Sequence, residues 1–172
     1  MKKHIFIING CGGVGKDTFV KLVSDHLNDK MKKSHTVMNF SSIDNVVRAA
    51  EFLGYNHTKS EKDRKFLSDL KQLAKNYNDS PFISLRYKAA EFLNNHTHYI
   101  LFLHIREIEE IERAVKEFKA KTILITRNTI KYIESNESDK NVLNYKYDIV
   151  IENNRSLEEL DKIANSFVSS LY

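Results

Sequence analysis

One cysteine, Cys11, stands in 172 residues, so no disulfide framework is possible and a reducing, cytoplasmic setting is expected. One proline excludes a Pro-rich linker. No apolar run approaches the roughly 18 residues of a membrane span. The N-terminal run "IFII" is short and ends in glycines rather than a cleavage site, which argues against a secretory signal. Charge of one sign is scarce too: 27 Lys and Arg against 23 Asp and Glu leave a formal net charge of +4. The basic residues are scattered, with the densest run, "DKMKKSH", at 29–35. That is no strong nucleic-acid signal, and it suits small phosphorylated ligands equally well. Repeats and low-complexity segments are absent. What remains is a chain of ordinary globular composition, 41% hydrophobic and 29% charged, of a length expected for one domain.

Glycine is the scarcity that informs most. Four of the five glycines lie in "INGCGGVGKDTF", residues 8–19. Before them, "HIFIIN" (4–9) is an apolar, β-branched run that reads as a strand buried on both faces. After them, Phe19, Leu22, Val23, His26 and Leu27 recur at helical spacing. Further strands are expected at 35–40, 98–105, 121–127 and 148–153. Helices are expected within 41–54, from Ser60 with Asp63 as cap, from Ser80-Pro81 with serine as N-cap, over "EIEEIERAVKEF", and after the Ser156–Glu159 capping box. The order βα, βααα, βα, βα, βα predicts an α/β fold, a three-layer α/β/α sandwich around a five-stranded parallel sheet. Ligands of such sheets bind beyond the carboxyl ends of the strands. Those ends carry Asn9-Gly10, Phe40-Ser41, His104–Arg106, Thr126-Arg127 and Glu152-Asn153.

The loop has the form GxxxxGK, and it both follows a strand and opens a helix. Backbone N–H groups of Gly10, Cys11, Gly12, Gly13, Val14 and Gly15 would line an anion nest, aided by the helix N-terminus. Lys16 would reach the β- and γ-phosphates of ATP. Asp17 stands where a hydroxyl usually follows the lysine. A carboxylate is a hard oxygen ligand, so Asp17 can serve Mg²⁺ directly or through water; the plainer reading is a helix-start residue favoured by the dipole. Thr18 can donate to the α-phosphate. Cys11 reads as a small loop residue rather than a nucleophile.

"GKDT" resembles the phosphate loops of nucleoside monophosphate kinases, especially the phage-type deoxynucleoside monophosphate kinases. "SSIDNVVRAAEFLG" is similar to that family's FADPLK-type segment, with Asp44 on the aspartate. "EKDRKFLSDL" resembles its KxRxxLQ helix through Arg64 and Leu67. "ILFLHIREIEEIERAVKEFKAKTILITR" resembles its DVRFPNE and following segment through Arg106, Glu110 and Arg127. "DIVIENNRSLEEL" resembles an ending shared with dephospho-coenzyme A kinases. The resemblance covers nearly the whole chain. It implies the fold of P-loop nucleotide kinases in a single domain, 1–172, with a helical, acceptor-covering insertion at about 44–95. It implies transfer of the γ-phosphoryl group of ATP, with Mg²⁺, to a (deoxy)nucleoside monophosphate or similar small phosphorylated acceptor. A dephospho-coenzyme A kinase-like enzyme is one alternative. His104 stands where the family has an aspartate, and the expected lid, 128–147, has no arginine. These departures favour the other alternative, a nucleotide-binding module without phosphotransfer.

Phosphoryl transfer needs cations around two phosphates. Arg106 and Arg127, each just past a strand end, are the catalytic candidates beside Lys16. Asp44 and Arg64 are candidates for binding the acceptor. Each has a plainer reading: a solvated strand-end arginine for Arg106 and Arg127, a helix cap for Asp44, an intrahelical pair for Arg64. His104 reads equally well as a satisfied core histidine. His96 and His98 do not make a metal pair.

Overall fold

In the computed structural model, residues 2–58, 60–130 and 142–172 are described. Five strands form one parallel sheet: β1 (His4–Asn9), β2 (Val37–Ser41), β3 (Ile100–His104), β4 (Lys121–Thr126) and β5 (Ile149–Glu152), in the order β2-β3-β1-β4-β5. β1 lies centrally, pairing Ile8 with His104 on β3 and with Ile123 on β4. Each strand therefore delivers its carboxyl end to the same edge of the sheet.

Successive β1 residues point to opposite faces, and both faces are buried. Phe6 and Ile8 join Ile100, Phe102, Ile123 and Ile125 on one face. There they meet Phe19, Val23 and Leu27 of α1 (Lys16–Met31) and Ala164, Phe167 and Val168 of α6 (Leu157–Leu171). Ile5 and Ile7 join Leu101 and Leu103 on the other face, under Phe82, Leu85, Ala89 and Phe92 of α4 (Ser80–Asn94) and Ile111 and Ala114 of α5 (Ile108–Phe118). This is the three-layer sandwich that the alternation of elements predicts.

Between β2 and β3 the chain forms α2 (Asp44–Phe52), α3 (Glu61–Asn78) and then α4. Ser60 and Ser156 cap α3 and α6 as expected, accepting from the backbone N–H groups of Asp63 at 3.1 Å and Glu159 at 3.3 Å. The start of α4 differs from expectation. Asp79, not Ser80, occupies the N-cap, in a left-handed conformation with φ 56°, and it also closes α3. The two helices are joined through this one residue, and its carboxylate accepts from Arg113 of α5 at 2.7 Å instead of capping. Ser80 moves inside the helix, where its carbonyl accepts from the Ser84 hydroxyl. The helix expected between β4 and β5, and most of the arginine-poor lid, fall on 131–141, outside the described residues. The described part of that connection carries a 3₁₀ turn, Val142–Asn144. No helix among the described residues is long and apolar enough to cross a membrane.

Candidate phosphate-binding site

The loop after β1 is held from both ends. Asn9 is buried; its Oδ1 accepts from Gly10 N–H at 2.8 Å, and its Nδ2 donates to the Tyr147 hydroxyl at 2.8 Å. Burial, foremost, pushes the Tyr147 hydroxyl up to about 12, so it keeps its proton. Gly10, at φ 141°, passes so close to β4 that a Cβ would lie 2.3 Å from the Ile125 carbonyl oxygen. Gly15, at φ 101°, is the N-cap of α1, and a Cβ there would lie 2.5 Å from Asn153 Nδ2. Both positions demand glycine for conformation and for space.

Asn153 supplies the brace on the far side. Its backbone N–H donates to the Thr126 carbonyl at 2.8 Å, and its buried amide donates to the Val14 carbonyl at 2.8 Å. Residues from β4 and β5 thus shape a loop that begins on β1. Lys16 is the first residue of α1, and its ammonium arcs back to donate to the carbonyls of Gly10 at 2.5 Å and Cys11 at 2.8 Å. Cys11 and Val14 are buried, while Gly12 and Gly13 are exposed. Asp17 and Thr18 lie exposed in the first helical turn, at the positive end of the dipole.

His104 marks the centre of the next group. It ends β3 beside β1 and is hydrogen bonded through Nε2 to Asn39 Oδ1 of β2 at 2.8 Å. Burial lowers its pKa first of all; the Asp17 carboxylate opposes that, Lys16 reinforces it, Asp44 opposes and Arg106 reinforces. Four candidates from three different loops therefore act on one imidazole. Asp44 is the first residue of α2 rather than its cap, and its carboxylate accepts from Ser41 N–H at 2.8 Å. Arg106 is half-buried in the turn after β3. Arg127 and Arg64 are not in this group. Arg127 is exposed beyond β4, its carbonyl accepting from Ile130 in a turn, and Arg64 is exposed in the first turns of α3.

Sequence reasoning missed three supports. Asn153 was visible only as a polar strand end, and the partnership of Asn39 with His104 requires knowing that β2 pairs with β3. Lys71 reads as an ordinary solvated helix residue, yet it is 8% exposed and lies between Glu107 and Glu110. A cavity of about 150 Å³ opens beside the loop, between the end of β5 and the start of α6, lined by Glu152, Asn153, Arg155, Ser156 and Glu159.

No cluster of three or more His, Cys, Asp or Glu side chains suited to a metal occurs among the described residues. Magnesium does not need one, since it retains waters and binds through one or two protein oxygens together with substrate phosphates. The exposed Asp17 carboxylate and Thr18 hydroxyl beside the loop fit that mode of binding.

No family model matches the chain, and no curated protein sequence matches it either. Solved structures do. Shikimate kinase from Aquifex aeolicus superposes with a TM-score of 0.54 at 16% identity, over 97% of this chain and 95% of its own. Thymidylate kinase from Ehrlichia chaffeensis gives a TM-score of 0.51 at 10% identity over all of both chains. A putative kinase from Chloroflexus aurantiacus gives 0.51 at 9% identity over 96% of this chain and 98% of its own. The chain has the fold of the P-loop kinases: a five-stranded parallel sheet with helices on both faces.

Proposed function

We propose that the protein is an ATP-dependent phosphotransferase acting on a small phosphorylated acceptor, within which a (deoxy)nucleoside monophosphate is the preferred class. The observation that carries this reading is that β1, β2 and β3, paired side by side, bring the loops bearing Lys16 with Asp17, Asp44 and Arg106 to one carboxyl edge of the sheet, next to His104. It joins a phosphate loop on β1 to the two loops, after β2 and β3, from which an acceptor would be held.

In this reading the loop N–H groups from Gly10 to Gly15 hold the donor phosphates, and Lys16 leaves its loop carbonyls to lie along the β- and γ-oxygens. Asp17 would hold magnesium, which when bound would neutralise charge on the phosphate oxygens, and Thr18 would donate to the α-phosphate. Arg106 grips the transferring or acceptor phosphate, while Arg127, exposed beyond β4, would have to swing in from solvent to add a second contact. Asp44 orients the acceptor, Arg64 approaches its phosphate from α3, and the helical segment at about 44–95 covers it. The cavity beside Asn153 is placed to receive the base of the donor. A module without phosphotransfer remains the second reading, favoured by one observation: His104, where the family has an aspartate, is engaged with Asn39.

A coupled assay with ATP, magnesium and a panel of nucleoside and deoxynucleoside monophosphates separates the two. Turnover on one or more acceptors is expected. Tight ATP binding with no turnover on any of them would replace the kinase with the module.

A further inference from the structure

Helix α3 is attached in an unusual way. Of its 18 residues only Lys71 is buried. Phe66, Leu67 and Leu70 are half-buried, and Leu73 is 66% exposed. Neighbouring α4, by contrast, sinks Phe82, Leu85, Ala89 and Phe92 into the core. A buried ammonium is costly unless it is fully partnered. Lys71 Nζ donates to Glu110 Oε2 at 2.9 Å and to Glu107, and lies 3.5 Å from Ser42 Oγ. Glu107 follows Arg106 and holds the N-cap position of α5; Glu110, 1% exposed, lies in the first turn of that helix. Ser42 follows β2, two residues before Asp44, and its N–H donates to the His104 carbonyl at 3.1 Å. One ammonium on α3 therefore meets both loops that carry acceptor-side candidates.

We infer that Lys71 is a positioning residue that pins α3, and Arg64 with it, onto the loops bearing Asp44 and Arg106, and thereby sets the affinity for the phosphorylated acceptor. This rests on the kinase reading. An apolar seam would hold a helix by area; here the buried hold is concentrated at Lys71, with only half-buried apolar residues and the surface pair of Lys75 and Glu109 beside it, so the helix can tilt about that point as an acceptor enters or leaves.

The pin is also sensitive to pH. The groups facing Glu110 are Lys71 from α3 and Glu107 on its own turn, and Ser42 from the β2–α2 loop meets the Lys71 ammonium as a neutral hydroxyl. The next pair along, Lys75 with Glu109 at 3.2 Å, lies at the surface. Burial, foremost, pushes Glu110 up to about 7, with Glu107 adding to the shift and Lys71 opposing it. Burial also acts on Glu107, but Lys71 outweighs it and holds that carboxyl below the usual range. Below neutrality Glu110 is protonated, and the three groups sum to zero charge. Above it they carry one negative charge beside a site for phosphate, so acceptor KM should rise with pH.

Three measurements test this on the full chain. Hydrogen exchange without ligand should be about tenfold faster across α3 in Lys71→Met, with α1 and β1 unchanged. With the deoxynucleoside monophosphate that wild type turns over best, acceptor KM in Lys71→Met should rise about tenfold while ATP KM stays within about twofold. Wild-type acceptor KM should rise several-fold from about pH 6 to about pH 8, and Glu110→Gln, whose amide oxygen still accepts from Lys71, should flatten that rise. If wild type turns over no acceptor, the kinase reading fails, and α3 exchange alone decides the pin. Unchanged α3 exchange in folded Lys71→Met overturns the pin. Faster exchange with an unchanged acceptor KM overturns its role in acceptor binding. Should Lys71→Met not fold, a Glu110→Gln profile that follows wild type overturns the proposal.

Discussion

Lys16 donates to two carbonyls of its own loop, Gly10 and Cys11, both within the proposed phosphate nest. Moving that ammonium onto the transferring group exchanges neutral acceptors for charged ones. The gain should be greatest where charge develops, so Lys16→Ala should cut turnover about 10²- to 10³-fold, or about 3–4 kcal/mol, and weaken ATP binding much less. Steady-state kinetics beside an ATP-binding isotherm reads both; an unaltered turnover would end the phosphate-loop assignment. Asp17 raises a separate question, because its exposed carboxylate suits either magnesium or the helix dipole. If it serves the metal, Asp17→Asn should raise the magnesium concentration at half-maximal rate about tenfold, equivalent to about 1.4 kcal/mol. If it serves only the helix, the magnesium midpoint stays in place and the melting temperature drops slightly.

Among elements, β1, α1 and the glycine loop between them were legible in the sequence. A β-branched run, a glycine cluster and an apolar helical stripe have local signatures, and β1 and α1 lie where these predict. The ends of other strands shifted by a residue or two. β2 runs on through Ser41, whose N–H is then taken by the Asp44 carboxylate. The segment between β2 and β3 was legible only in outline. In α3, Phe66, Leu67, Leu70 and Leu73 recur at helical spacing, a pattern that reads as an apolar seam, yet the helix buries Lys71 instead. Its partners lie 36 and 39 residues away, a separation without periodicity. This difference in anchorage is testable at the caps. Ser156→Ala, on a helix packed against α1, should cost about 1 kcal/mol and lower the melting temperature by roughly 2–4 °C. Ser60→Ala removes an equivalent bond from α3 and should appear instead as faster local exchange over 61–65, with a smaller change in melting temperature. Equal shifts in melting temperature for the two variants would mean that α3 unfolds only with the core.

For the whole molecule, three histidines set an acid limit. His4, His98 and His104 all have lowered pKa values, with burial the leading cause in each. The folded protein holds them neutral at a pH where the unfolded chain takes up protons at the ordinary 6.5, so their contribution to stability is lost as pH falls below that value. Glu110 works in the opposite direction: its raised pKa favours the folded state less as pH climbs from 4.5 towards 7. His4 isolates the first effect. Its ring stacks on Phe6 and meets the edge of Tyr172, and its buried Nε2 has no hydrogen-bond partner among the described residues. His4→Phe should therefore raise the melting temperature, and the gain should widen between about pH 7 and about pH 5. A gain that is constant with pH would assign the benefit to packing alone.

The brace from Asn153 has a consequence in time. The loop that begins at Gly10 is made early on the ribosome, whereas the amide that holds Val14, and the space that excludes a side chain at Gly15, arrive with residue 153. An emerging chain would carry every residue of the phosphate loop long before it had the walls that give the loop its shape. On the proposed reading, any grip on nucleotide would be gained in one late step, when β5 docks on β4, so a ribosome-stalled chain lacking β5 should not retain an immobilised ATP analogue, and one released with α6 complete should.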